Sequence, residues 1–474
     1  MGSEFNVCPI CGRQTVQYPK SGRAWCPEHG IVIHPETPFE VDEILSDLEI
    51  SKDRYSNTAF VGVDFGEYGI SAAAMRMALE GTVKWEMRTI VFDFYADWRE
   101  LQNEPDLKGR VEVLQLSPNW NQSPRWNPLR WNPLQIGRHI LPEVQWRAFC
   151  DIFGAVARLG VRRQVVELRD ALRRVYLAAG VLVDDPELPD EWAVVRTGEG
   201  ATVGVPLADL SPEERQRIAV QRSKVVGLAD LYAEIESRLS PTPPQDAMPL
   251  NVLSDVLDER DVLGEILFRL SPLVADKEQH SPIRDRIAMQ YAAGPDAIDI
   301  NEIVPGDWGI VVLERGELLD ELSQAFLMGW AAWQIYTDTV VQHIKEQSQY
   351  APIQFFFNDA DSFLSEENEQ FNAMWRDSRK YGIWLHLITQ HPALLSRRTL
   401  LLCDNLFVAQ ISNPQQQRHI KQDQDAIIER LHNSQVGFTD KMWRQFIASL
   451  PLTHFVIKLS HDPNPIYMKL LLKE

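Results

Sequence analysis

From residue 58 onward, short unbroken apolar runs alternate with stretches of helical period. TAFV comes first, and TIVFDFYAD, WGIVVLERG, PIQFFFNDAD, GIWLHLITQHP and NLFVAQIS follow. Helical patterns such as AAAMRMALE and LLDELSQAFLMGWAAWQIYTDTVVQHIKEQ stand between them. Strands that are apolar on both faces and joined by helices predict a parallel sheet covered on both sides. The predicted α/β core takes 58–140 and 301–474. A mainly helical insert, 141–300, interrupts it with patterns such as VQWRAFCDIFGAVARLG and VVELRDALRRVYLAAG. Residues 35–57, PETPFEVDEILSDLEISKDRYSN, are acidic and hold no strong period, which predicts a linker with one short helix.

A chain of 474 residues is too long for one core, so at least two folded units are expected. Apolar residues make up 45% and charged residues 24%, which excludes an intrinsically disordered chain. No run reaches the ~18–20 apolar residues that cross a bilayer. The nearest, AFLMGWAAWQIYT, ends at Asp338, so no membrane insertion is expected. The opening MGSEF resembles a cloning scar, and no stretch after it reads as a secretory signal. The net charge of −20 argues against a surface that coats nucleic acid unselectively, although a local basic strip is compatible with it. Five cysteines without a secretory signal point to a reducing, cytoplasmic setting and to metal-bound or free thiols.

Within 1–34, CPICGRQTVQYPKSGRAWCPEHG places Cys8, Cys11, Cys26 and His29 in a C-x2-C, spacer, C-x2-H pattern. Two residues between ligands let a tight turn aim both side chains at one ion. Three thiolates and an imidazole close a tetrahedral structural zinc site, a zinc ribbon. Gly12 follows the first pair, where a turn around a metal needs a positive φ. His34 is an alternative fourth ligand. A unit this short holds too small a core to fold without its metal.

Residues 62–71, GVDFGEYGIS, lie between TAFV and AAAMRMALE. Strand, glycine-rich turn and helix is the layout of a phosphate-binding loop, which carries a lysine just before its final Ser or Thr. Here that slot is Ile70. VFDFYADWREL is a strand ending in Asp93, and WNPLRWNPL repeats an N-P-L element at Asn127 and Asn132. FFFNDADSF and RDSRKYGIWLHLITQHP follow in order. Together these motifs resemble the HerA–FtsK superfamily of ring-forming, DNA-pumping ATPases over most of 58–474. The resemblance implies a RecA-like, mostly parallel sheet with helices on both faces, a Walker A loop at 62–71, a Walker B strand end at 358–359 and a sensor at Gln390. It also implies ATP and Mg²⁺ as cofactors, DNA as the polymer handled and self-association into a ring, with a hexamer expected.

The departures from that pattern fall on the chemistry. Gly69 and Ser71 fit the loop, but its first glycine becomes Asp64 unless the loop is longer and Gly62 serves. Glu67 adds a carboxylate where amides should face phosphate, and the Walker B Asp-Glu pair becomes Asn358-Asp359. A working site uses the lysine to neutralise β/γ-phosphates and the strand-end aspartate to hold Mg²⁺. Ile70 and Asn358 bring no charge to either. The candidate nucleotide-binding positions are Gly69, Ile70, Ser71 and Asp93. The catalytic candidates are Asp359 and Gln390, in an impaired site. Lys84 or an arginine stays open as a spatial substitute for the lysine. Arg379, Lys380, Arg397, Arg398 and Arg418 are candidates for reaching a neighbouring subunit, with exposed loop charge as the alternative.

These readings describe a component of a DNA-translocating or DNA-processing machine with weak or absent hydrolysis, acting as a ring or beside an active ATPase paralogue. A different class of function is an adaptor that recruits a nuclease or another partner through the ribbon. A third is an active ATPase with an unusual site. The ribbon sets a first prediction: the purified chain carries about one zinc after dialysis, and Cys26→Ser removes it and unfolds the module. Elemental analysis showing less than a few tenths of an equivalent, with Cys26→Ser folding normally, contradicts it.

Overall fold

Six of the apolar runs lie side by side as parallel strands. The computed structural model describes residues 7–8, 12–17, 24–26, 32–33, 44–48, 50–64, 69–116, 127–136, 140, 142–159, 162–179, 192–196, 202–206, 209–213, 226–239, 250–274, 290–291, 297–298, 300–346, 352–362, 364, 368–411, 420–431, 439–462 and 464–469. The chain divides into two units, one of 1–113, 304–314 and 346–474, the other of 114–303 and 315–345.

In the first unit, β1 (Val16–Gln17), β2 (Ala24–Trp25) and β3 (Val32–Ile33) precede α1 (Ile44–Asp47), β4 (Thr58–Val61), α2 (Ile70–Trp85) and β5 (Arg88–Asp93). The edge strand β6 (Val111–Gln115) leads into the second unit. That unit holds α3 (Pro142–Val156), α4 (Arg162–Ala178), the hairpin strands β7 (Trp192–Arg196) and β8 (Thr202–Pro206), α5 (Leu228–Leu239) and α6 (Leu250–Leu270). After β9 (Gly309–Glu314) in the first unit, α7 (Glu321–Glu346) belongs almost wholly to the second. The first unit then resumes with β10 (Ile353–Asn358), α8 (Glu369–Asp377), β11 (Ile383–Thr389), α9 (Arg397–Leu401), β12 (Asn405–Val408), α10 (Ile420–Leu431), α11 (Asp440–Ala448), β13 (His454–Lys458) and β14 (Ile466–Lys469).

The sheet order is β1-β2-β3-β14-β13-β12-β4-β11-β10-β5-β9-β6. Neighbours from β12 to β9 are parallel, while β12, β13 and β14 pair antiparallel. Every residue of β4, β5, β9 and β10 is buried, which is why these strands read as continuous apolar runs. On one face, Phe60, Val91, Phe356 and Phe407 join Ile70, Ala74 and Met77 of α2 in one core. On the other face, Phe357 stacks on Phe92 and meets Trp375 of α8. His386 is fully buried between Phe356 and Tyr55, with ring centroids at 4.5 and 5.2 Å. Burial lowers its pKa to about 3, so it is a neutral packing residue. Cys150 and Cys403 are buried thiols whose pKa is raised by desolvation, as befits core positions.

Two expectations change. The acidic stretch 35–57 reads as a linker, yet its described part is docked. Ile44, Leu45, Leu48, Ile50 and Tyr55 are all buried against α2 and the sheet. The Glu80 carboxylate of α2, itself buried, accepts the backbone N–H groups of Ile44 at 2.6 Å and Leu45 at 3.0 Å. Arg76 and Lys84, one turn to either side, hold it at 3.5 Å each. The apolar residues are too irregularly spaced among acids to show a period. The expected insert 141–300 lies within the second unit, which also takes in 114–136 and most of α7. That unit is not purely helical: β7 and β8 pair antiparallel, and β-branched residues around TGEGA are the hairpin signal.

Inside the second unit, Phe149 and Phe153 of α3 meet Phe326 and Trp330 of α7 edge to face. Asn132 of the second N-P-L is buried, donating to the Val226 carbonyl at 2.8 Å and accepting from the Leu134 N–H at 3.1 Å. Its role here is to fix a turn. The basic cluster of α4 is an ion-paired face, with Arg169 on Asp151, Arg174 on Asp170 and Glu167 taking Arg238. Of the ribbon, Cys8 and Cys26 are buried and not disulfide-bonded. Gly12 takes φ 69° and donates to the Cys8 carbonyl, the tight turn expected beside a first ligand pair. Cys11, His29 and His34 lie outside the described residues, and no group of three metal ligands occurs among the described ones.

The Glu80 clasp makes a prediction. Glu80→Ala leaves two buried N–H groups without an acceptor and lowers stability by about 1–3 kcal/mol. Urea unfolding measures the loss, and limited proteolysis then cuts within 44–55. An unchanged midpoint and unchanged digestion contradict the clasp.

Candidate functional site

The carboxyl ends of β4, β11, β10 and β5 open at one edge of the sheet, where parallel folds collect their polar chemistry. Gly62 leaves β4 with φ 134°, and a Cβ there would lie 3.0 Å from the Ala409 backbone, so only glycine lets the chain pass β12 this closely. Asp64 follows. Gly69 is the N-cap of α2 and has an extended backbone, and Ile70 opens the helix with its side chain fully buried in the core. Ile70 therefore faces the sheet and not the crevice.

Ser71 lies in the first turn of α2. Its hydroxyl is hydrogen-bonded to the Asp64 carboxylate, and it lies 3.4 Å from Asn358 Oδ1. Asn358, at the end of β10, donates its Nδ2 to Asp93 Oδ1 at 3.0 Å. Asp93, at the end of β5, also accepts the backbone N–H groups of Tyr95 at 3.1 Å and Trp98 at 2.9 Å. Asp64, Ser71, Asn358 and Asp93 thus line up from the loop through α2 to the ends of β10 and β5, with Ser71 bonded to Asp64 and Asn358 to Asp93. Burial raises the Asp93 pKa to about 6 against the opposing hydrogen bonds, and Asp97 nearby raises it further. Burial likewise raises Asp64.

Beside this chain lies a second cluster. Asp359 has φ 59°, a left-handed conformation rare outside glycine, and accepts from the Ser362 hydroxyl at 2.6 Å. Asp361 accepts from the Thr389 hydroxyl, and the same Thr389 oxygen accepts the His391 N–H at 2.9 Å. Burial and the neighbouring Asp359 raise Asp361. Asp423 of α10 accepts the Ala393 N–H at 3.0 Å and stands 3.7 Å from His391, whose pKa it raises. Gln390 is half-buried at the end of β11. The sequence motifs singled out Asn358, Asp359, Asp93, Ser71 and Gln390. They did not find Asp361 or Asp423, which act at a distance in sequence, nor Asp64 as a partner for Ser71.

The candidate cations go elsewhere. Lys84 sits in the last turn of α2, 13 positions from Ser71 and so about 20 Å along the axis. Arg99 forks onto the buried Glu314, with Nε 2.9 Å from Oε1. Arg379 pairs with Asp404, Lys380 with Asp377, Arg397 with Glu429 and Arg398 with Glu369. Arg418 lies outside the described residues. Among the described residues, no lysine or arginine is hydrogen-bonded to Asp64, Ser71, Asn358 or Asp93.

Solved structures share this architecture. The bacterial conjugative coupling protein TrwBdeltaN70 aligns over 98% of this chain and 96% of its own, with a TM-score of 0.55 and 10% identity. VirB4 of Thermoanaerobacter pseudethanolicus aligns over 91% and 92%, with a TM-score of 0.51 and 14% identity. The chain has a RecA-like α/β fold. TrwB has been solved with ADP and Mg²⁺ and with a non-hydrolysable ATP analogue. In sequence, a probable helicase of Methanocaldococcus jannaschii is 25% identical over 138 residues, which is 28% of this chain and about a quarter of that protein's length. No protein-family model matches. No described helix is long and apolar enough to cross a membrane.

The buried Asp93 sets a pH prediction. Its folded pKa, about 6, stands above the usual carboxylate value, so its contribution is fully present below pH ~3.8 and is lost as pH rises through about 6. Asp93→Asn abolishes that loss. Relative to the wild type, the variant gains about 2 kcal/mol between pH 4.5 and 7.5 in urea unfolding. Parallel pH profiles for the two proteins contradict the assignment.

Proposed function

We propose that this chain is a component of a DNA-translocating or DNA-processing machine. It keeps the RecA-like scaffold and has weak or no ATP hydrolysis of its own. The observation that carries the reading is the Asp64–Ser71–Asn358–Asp93 chain. Ser71, the position that would hold Mg²⁺, is engaged by a carboxylate and an amide. The strand-end aspartate is replaced by Asn358, and the lysine slot holds the core residue Ile70. Phosphoryl transfer needs a cation on the phosphates, and among the described residues no lysine or arginine is hydrogen-bonded to this chain of residues, which supports weak hydrolysis.

The likeness in fold to proteins named for conjugative coupling supports DNA as the polymer handled. We extend the reading to self-association into a ring, as a hexamer, or to an inactive subunit beside an active ATPase paralogue. The Cys8, Cys11, Cys26 and His29 set would hold one structural zinc as a rigid module. The buried Cys8 and Cys26 and the left-handed Gly12 fit such a site. Bound there, zinc supplies cohesion and no chemistry.

Two measurements on the full chain test the proposal. Particle imaging with and without duplex DNA is expected to show rings that enclose the duplex. Steady-state phosphate release with DNA present is expected to stay far below ~1 s⁻¹, the low end of ordinary turnover. DNA-stimulated turnover above that level that disappears in Asp359→Ala overturns the reading of the site. A chain that stays monomeric and binds no DNA at any salt concentration favours the adaptor function.

A further inference from the structure

We propose that Asp64 is an autoinhibitory contact, a built-in competitor for phosphate at the start of α2. This deepens the reading above, on which it rests, by naming what keeps the crevice from a nucleotide. The first N–H groups of a helix have no intrahelical acceptor, and the helix dipole favours an anion there. In the phosphate-binding layout that anion is the ligand's. Here the chain supplies its own. The Asp64 carboxylate takes the hydroxyl of Ser71 in the first turn of α2. The N-cap residue, Gly69, has no side chain for this task.

Three further features make the contact exclusive. The second oxygen of Asp64, Oδ1, is buried without a partner, whereas a residue capping from the surface would leave it in water. That oxygen is turned away from water at the start of α2. The Asp64 charge helps to raise the pKa of Asp97, and Asp93 stands beyond Asn358. A phosphate entering here would join carboxylates and would find no cation from Ile70, whose side chain is in the core. Asn358 lines the other side, because its amide holds Asp93 and its Oδ1 stands 3.4 Å from the Ser71 hydroxyl.

The test is titration of the full-length protein with Mg-ADP and, separately, with pyrophosphate, by calorimetry. The wild type is compared with Asp64→Gly and Asp64→Asn. The wild type is expected to show no binding at about 1 mM ligand. Asp64→Gly, which restores the glycine of the loop pattern and frees the Ser71 hydroxyl, is expected to bind at least about tenfold more tightly. A gain in Asp64→Asn as well assigns the block to charge, and a gain in Asp64→Gly alone assigns it to the occupied space. Either result supports the contact. Circular dichroism checks folding, and Asp64→Asn carries the test if the glycine variant unfolds. Equal affinity in all three proteins, or binding by none, overturns the role of Asp64. ATP turnover by the wild type, measured alongside, overturns the proposed function instead, so the two failures are distinguishable.

Discussion

Burial of both faces of a parallel sheet constrains everything else in the first unit. Strands of this kind leave little room for polar side chains on either face, so the polar chemistry gathers where the strands end; His386, whose buried ring nitrogens have no hydrogen-bond partner, is an interior exception held neutral. Gln354 illustrates the rule in the interior. It is fully buried, but its amide is bonded by Tyr55, the Ala78 carbonyl and Thr89. At the carboxyl edge the same demand falls on Asp93, Asn358 and Thr389. Each finds a partner from the next strand or from the loop that follows.

Buried charge must be compensated, and at this edge the carboxylates of Asp64 and Asp93 stand close to Asn358, which adds no charge of its own. An amide also does what a carboxylate cannot, since it donates to one neighbour while accepting from another. Asn358 uses the first toward Asp93, and its Oδ1 stands 3.4 Å from the Ser71 hydroxyl, whose one proton it shares as an alternative acceptor to Asp64.

The strands and the parallel sheet were legible because two-sided burial writes itself as unbroken apolar runs. Asp93, Asn358 and Asp359 were legible because strand ends fix where a side chain emerges. What stayed hidden depends on how a loop or a distant segment turns back. Asp64 lies only seven residues from Ser71, but nothing in the motif says that the loop returns its carboxylate to the helix, and Asp423 reaches the turn after β11 from 30 residues away. The docking of 44–55 was masked by its acidic residues, which dominate the pattern while five apolar side chains do the packing. The hairpin of β7 and β8 carried its signal in TGEGA, but lay inside a stretch dominated by helical period. The place of Lys84 was decided by helix length alone, since a residue in the last turn of α2 cannot return to the first.

The position of β4 in the sheet has a consequence for how the chain is made. Thr58 pairs with His386 on one side and with Asn405 on the other, separations of 386 − 58 = 328 and 405 − 58 = 347 residues. During synthesis at about 5–20 residues per second, β4 waits on the order of 20–70 s for either neighbour. β5, separated from β4 by β11 and β10, is no nearer to completion, because both of those strands are made late. Through that interval the nascent chain carries apolar strands without a sheet to receive them. Biogenesis of this protein therefore places its heaviest demand on chaperones in the time between the two halves of one sheet.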